Sequence, residues 1–343
     1  MPANERAGWA RAGRVILTGA ARRYLRRCAL AIPALVVLLA APLVGQAGER
    51  LSIVATTGMI ADAAREIGGD SVEVEGLMGP GIDPHSYRQT RSDIVAMTRA
   101  DLVLWHGLYL EAQMEEFLQR LAKRQTVVAV AEQLPRERLL GHEDYDDKRD
   151  PHVWMDPSLW AKVVVAIRDA MIEARPDREA MFRERADAYL ERIERLGDWA
   201  AEVTSSVPDE ARVLLTAHDA FAYFGRAYGF EVIGIQGIST ESEAGLRRIR
   251  DLVDLLVERR IGAVFVESSV SDRNIRALVE GAESRGHAVR IAGTLYSDAM
   301  GPAGTYEGTY IGMIDHNITT IVRALGGEAP ADGMQGRLAE ASR

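Results

Sequence analysis

Cysteine is almost missing from this 343-residue chain: its single copy, Cys28, lies in the N-terminal stretch ahead of the globular part. Beyond that point disulfides and thiolate metal sites are excluded, so any metal must be held by His, Asp, Glu or backbone oxygen. There is no low-complexity tract, no His-Glu-x-x-His pattern and no nucleophile elbow, which removes the commonest signatures of a zinc protease or an α/β hydrolase. Positive charge is short as well, with a formal net charge of −9. Residues 1–47 hold seven arginines and one glutamate, a net of +6, so the remainder carries −15. So acidic a chain is a poor partner for nucleic acid or anionic lipid, and it accumulates cations.

What is present begins with an export signal. Arg22, Arg23, Arg26 and Arg27 precede an apolar run from Cys28 to about Val44, and Val44-Gly-Gln-Ala47 supplies small residues for cleavage. This order of basic, apolar and small predicts a signal peptide over residues 1–47 and a periplasmic protein, with an uncleaved anchor as the alternative. Cys28 lies before the core of the apolar run with arginines preceding it, the wrong place for a lipid-modified cysteine.

From Leu51 onward short β-rich runs alternate with helical periodicity. Strands are predicted at Leu51–Thr56, Val72–Leu77, Leu102–Trp105 and Val127–Val130, with helices Met59–Ile67, Ser92–Arg99 and Glu111–Arg124 among them. The second half repeats the scheme with strands Arg212–Thr216, Glu231–Ile235, Ala263–Val266 and Ala288–Ala292. Its helices are Ala220–Tyr228, Ala244–Arg259, Arg273–Arg285 and Ile311–Leu325. Such alternation implies βα units and parallel sheets, an α/β fold. After a helix from Trp160 to Ala174, apolar residues fall at Phe182, Ala186, Tyr189, Ile193, Leu196, Ala200 and Val203, in alternating steps of four and three. At ~1.5 Å per residue this run makes a rod of about 40 Å, read here as a rigid connector rather than a coiled-coil seam. The predicted organisation is a lobe over residues 48–175, a linking helix over 176–207, a second lobe over 208–328 and a flexible tail over 329–343.

Two Asp-Pro-His turns stand out: Asp83-Pro84-His85, and Asp150-Pro151-His152 within Asp150-Pro-His-Val-Trp-Met-Asp-Pro157. Proline fixes φ and removes a donor, so each is a stiff turn that aims an imidazole at little further entropic cost. His85, His218 and Asp298 follow the carboxyl ends of predicted strands, and His152 lies in the loop after one. Ligands of open α/β sheets gather there, and because each half supplies two of the four they can meet only between the halves. Three imidazoles and a carboxylate suit a borderline divalent ion; zinc fits, and a bidentate Asp298 would admit manganese or ferrous iron. Glu267 could hold a ligand imidazole or be a buried structural acid. Asp83, Asp156 and Asp219 could orient a histidine or form turns and caps. His106 reads as a neutral polar loop residue, His287 and His316 as solvated, and Tyr223, Phe224 and Tyr228 as core.

Gly-x-Asp-Pro-His85-x-Tyr, Asp-Pro-His152-x-Trp-x-Asp-Pro, Thr-Ala-His218-Asp-Ala-Phe-x-Tyr-Phe, Val-Phe-Val-Glu267-Ser-Ser and Leu-Tyr-Ser-Asp298-Ala-Met-Gly are spread over residues 51–326. Jointly they resemble the zinc- and manganese-binding solute-binding proteins of ABC importers. The resemblance implies two lobes joined by one long helix, and metal ligands His85, His152, His218 and Asp298. It also implies a monomeric, non-enzymatic carrier that hands its ion to an ABC permease. The stretch Gly141–Asp150 is acidic but lacks the long His-rich loop of zinc-dedicated relatives, and manganese-dedicated ones often have Glu where this chain has His218. A metallohydrolase and a surface adhesin are the competing functions. Ligation by ordinary imidazoles predicts that affinity falls below about pH 6.

Overall fold

In the computed structural model, residues 50–142, 147–242 and 244–338 are described; the expected signal peptide lies outside them. The first half is a parallel four-stranded sheet in the order β2-β1-β3-β4. Its strands are β1 (Leu51–Ala55), β2 (Val72–Gly76), β3 (Leu102–Trp105) and β4 (Val127–Ala129). Leu-Val-Leu-Trp of β3 is buried throughout, as an inner parallel strand covered on both faces must be. Val-Glu-Val-Glu of β2 alternates because it forms an edge with one wet face. The helices are α1 (Gly58–Gly68), α2 (Arg91–Arg99) and α3 (Glu115–Leu121). Thr90 and Asp93 form a reciprocal capping box that starts α2. Asp156 caps α4 (Pro157–Ala174), with Pro157 in the first turn, where its missing N–H costs nothing.

The second half pairs β5 (Val213–His218) with β6 (Glu231–Gln236) and β7 (Ala263–Glu267) with β8 (Arg290–Leu295), all parallel. β5 lies against β7, so the spatial order β6-β5-β7-β8 repeats that of the first half. Helices α6 (Ala222–Tyr228), α7 (Leu246–Glu258), α8 (Arg273–Ser284) and α9 (Tyr310–Ala324) complete it. Gly312 is required near the start of α9, since a Cβ there would lie 1.8 Å from the Tyr306 carbonyl oxygen.

The connector is α5 (Glu179–Ser205), 27 residues long, and all seven apolar positions of its predicted stripe are buried. It packs against α1, α4 and α9. Arg185 caps the end of α1 by donating to the Glu66 and Ile67 carbonyls, and the Tyr189 hydroxyl donates to Asp62 at 3.1 Å. One apolar cluster runs from Leu51 and Ile53 through Trp160, Phe182 and Ile193 to Phe221, Leu295 and Tyr310, and so belongs to both halves. Smaller clusters lie on the far side of each sheet. The described residues from Arg50 onward accordingly form one compact unit.

Three expectations need correction. The helix predicted over Glu111–Arg124 is confined to Glu115–Leu121, because Gly107, Leu108 and Tyr109 turn with positive φ and the Glu111 carboxylate binds backbone instead. The strand predicted over Ala288–Ala292 runs over Arg290–Leu295, where pairing with β7 outweighs the weak strand preference of Gly293. The supposed flexible tail is folded back as far as it is described. The Met334 N–H donates to Asp315 at 3.0 Å, Arg337 lies over the Tyr306 ring at 4.4 Å, and Leu338 is buried. Residues 339–343 fall outside the described residues.

Candidate metal centre

Each Asp-Pro-His turn is closed by the same device. Asp83 Oδ1 accepts the His85 N–H at 2.9 Å, and Asp150 Oδ1 accepts the His152 N–H at 2.9 Å. Asp150 does more than its counterpart, because the same oxygen takes the His152 ring Nδ1–H at 2.7 Å. That bond fixes the tautomer and turns Nε2 toward the cleft. Behind this turn the His106 Nε2–H donates to the Pro151 carbonyl at 2.7 Å, and the His106 ring meets Trp154 edge-on. Tyr223 reaches across from α6, donating to the Asp150 carbonyl at 2.8 Å and accepting the Leu140 N–H at 3.0 Å.

His218 is the last residue of β5 and Glu267 the last of the adjacent β7. Glu267 receives the His218 N–H on Oε1 at 2.9 Å and the ring Nδ1–H on Oε2 at 2.6 Å. Glu267 is thus the orienting carboxylate of His218. Asp298 follows β8 in a loop pinned from two sides. Asn317 of α9 brackets the Tyr296 backbone at 2.9 and 2.6 Å, and the Trp154 indole N–H donates to the Ser297 carbonyl at 2.8 Å.

Together these supports bring four side chains to one point. One donor atom from each of His85, His152, His218 and Asp298 lies within 4.8 Å of every other. His85 Nε2 is 3.3 Å from His152 Nε2; Asp298 Oδ1 is 3.4 Å from His152 Nε2, and Oδ2 is 3.2 Å from His218 Nε2. Two nitrogens each ~2.0–2.1 Å from a tetrahedral zinc stand about 3.3 Å apart, so the spacing fits an ion. All four residues are buried, at most 3% exposed. Among the described residues, both Asp298 oxygens and the His218 Nε2 find no partner with hydrogen-bond geometry. Buried polar atoms left so are costly, and a bound cation would satisfy all of them.

The electrostatics differ among the four side chains. Burial drives the His85 imidazole down to about 3, so it is neutral. Burial also opposes charge on His152, but Asp150 and Asp298 overcome it and hold the ring at about 9. His218 is likewise buried and likewise raised well above the ordinary range, by Glu267 and Asp298. Asp298, flanked by these two rings, stays ionised well below the usual carboxylate range despite its burial. Both rings are thus held toward the protonated form, and a cation entering between them would displace positive charge.

Residues 53–324 match the family described as ZnuA, zinc-uptake complex component A periplasmic. The chain belongs to the ZnuA family. It is 49% identical over 279 residues to the manganese-binding lipoprotein MntA of Bacillus subtilis, spanning 81% of this chain and 91% of that one. To the zinc-binding protein TroA of Treponema pallidum it is 46% identical over 273 residues, 80% and 88% of the two chains. The solved structure of that periplasmic zinc-binding TroA superposes with a TM-score of 0.79, covering 80% of this chain and 99% of TroA at 45% identity. The iron-binding protein YfeA of Yersinia pestis is 31% identical over 278 residues, 81% and 87% of the chains. The ZnuA-family chain thus has α/β halves with parallel sheets and a long connecting helix, as its sequence implied.

Some residues around the cluster were misjudged or missed. Asp150 was not recognised as the ring partner of His152, although its position two residues upstream across a proline was the available signal. The buried Glu111, which accepts the Thr56 hydroxyl at 2.6 Å and the His106 N–H at 2.7 Å, left no sequence signal. Asp156 serves as a helix cap, and Asp83 holds the His85 backbone rather than its ring. His287 and His316, expected to be solvated, donate to the Ile261 and Thr294 carbonyls at 2.8 and 2.9 Å.

Proposed function

We propose that this protein is the extracytoplasmic solute-binding component of an ABC metal importer, holding one divalent transition ion on His85, His152, His218 and Asp298. The observation that carries this is the convergence of those four buried side chains within 4.8 Å, drawn equally from both halves. Zinc or manganese is the cargo the donor set favours, with ferrous iron a further candidate: imidazole suits zinc, and both Asp298 oxygens face the cluster. The names of MntA, TroA and YfeA span those three metals. The protein acts as a monomer, and its partner is the membrane permease that receives the ion. The leader over residues 1–47 would deliver it to the periplasm, and no helix among the described residues is long and apolar enough to cross a membrane. The division into lobes over residues 48–175 and 208–328 about a linking helix over 176–207 is supported by the chain order, with parallel strands β1–β4 before α5 and parallel strands β5–β8 after it.

Catalysis finds little support. A catalytic zinc keeps an open position and a nearby base. Here the four donors are closed from solvent, and both oxygens of Glu267 are engaged by His218. Titration of metal-stripped protein with zinc and manganese is expected to show one ion per chain. Replacing both His152 and His218 by alanine should weaken binding by well over ~100-fold, since even outer partners of metal ligands are worth ~10–100-fold. Undiminished affinity in that double variant would overturn the assignment.

A further inference from the structure

Two of the three imidazoles have their second ring nitrogen held by a carboxylate, His152 by Asp150 and His218 by Glu267. Among the described residues no carboxylate holds the ring of His85 in this way. Its position depends on the loop that carries it, and that loop is fastened by Asp83. One Asp83 oxygen accepts the His85 N–H; the other accepts the Ser86 hydroxyl at 2.9 Å and the Thr240 hydroxyl at 2.6 Å. Thr240 belongs to the loop after β6, on the opposite side of the cleft. The neighbouring Glu241 makes a second crossing by accepting from the Gln113 amide. Beside the Asp83–Thr240 bond lies a polar cavity of about 170 Å³ lined by both residues and by Gln236, Ser269, Ser271 and Asn274. Water in that cavity can compete for the bond, whereas the Asp150 and Glu267 bonds are sealed.

We infer that Thr240 is a positioning residue for His85: acting through Asp83, it fixes the ligand loop of the first half from the second half. Loss of this bond frees His85 before the other ligands and sets the rate at which the ion leaves. The inference rests on the four-ligand reading above.

The test is zinc release from loaded, full-length protein into excess chelator by stopped-flow, with association rates measured in parallel. A hydrogen bond to a charged group, partly open to water, is expected to be worth about tenfold in rate. Thr240→Val and Thr240→Ala should therefore release zinc about tenfold faster with association within about twofold of the parent. Thr240→Ser, which keeps the hydroxyl, should restore the parental rate. Release at the parental rate from both the Val and Ala variants would overturn the inference. So would faster release accompanied by an equal fall in the melting temperature of the metal-free protein, which would mark a general loosening. Failure of the parent protein to bind zinc would instead remove the metal-site reading, and this inference with it.

Discussion

In the proposed site, protons and the ion would compete for the same nitrogens, and the carboxylates behind the rings would decide the pH at which they do so. An ordinary imidazole predicts weakening only below about pH 6. With burial opposed by Asp150 and Asp298, however, His152 keeps its proton up to about 9, and His218 is raised as well. Ion binding at neutral pH must then expel protons, so affinity should go on rising with pH from the ordinary imidazole value of 6.5 toward 9. Stability of the metal-free protein has the opposite slope. The folded pKa of His152 lies above its unfolded value of 6.5, so its stabilising contribution is complete below 6.5 and is lost as pH rises through about 9. Zinc titrations and urea denaturation of stripped protein across this window check both slopes. Glu267→Gln should reduce affinity by ~10–100-fold and lower the number of protons released on binding. An affinity that is flat above pH 7 would count against protonated ligands in the empty cluster.

At the level of elements, the connector α5 shows what was legible. Its stripe could be read because helical period and burial coincide over seven positions, from Phe182 to Val203. Ile193, 1% exposed near its middle, tests its weight. Ile193→Ala should cost about 2–5 kcal/mol in urea denaturation, with metal affinity unchanged, because the residue is part of the apolar core and not one of the four converging side chains. The four-residue cluster was readable for a related reason, since stiff Asp-Pro-His turns and strand ends are local features. What escaped depends on distant partners. Glu111 was assigned to a helix because its neighbours are helix formers, whereas its carboxylate accepts the Thr56 hydroxyl from 55 residues away and joins it to the turn at His106 and Gly107. Arg290–Leu295 takes its register from β7, and residues 329–338 are held by Asp315 and Tyr306 on and before α9. None of those partners is adjacent in the chain.

Across the whole molecule, one apolar cluster serves both halves, and the Tyr310 hydroxyl bonded to the Trp154 carbonyl at 2.9 Å ties them again. Such continuity predicts a single cooperative unfolding transition, with equal calorimetric and van't Hoff enthalpies, shifted upward by bound zinc. Two separated transitions would show that the halves are thermodynamically independent. The raised imidazoles have a consequence at this scale too. Since His152 and His218 are both held toward the protonated form beside Asp298, an arriving dication would displace positive charge already there, and the net change in the field is smaller than the ion's own charge would give. A receiving partner of the proposed kind would then gain little from steering at a distance, and would distinguish the two states on contact by the contour of the surface.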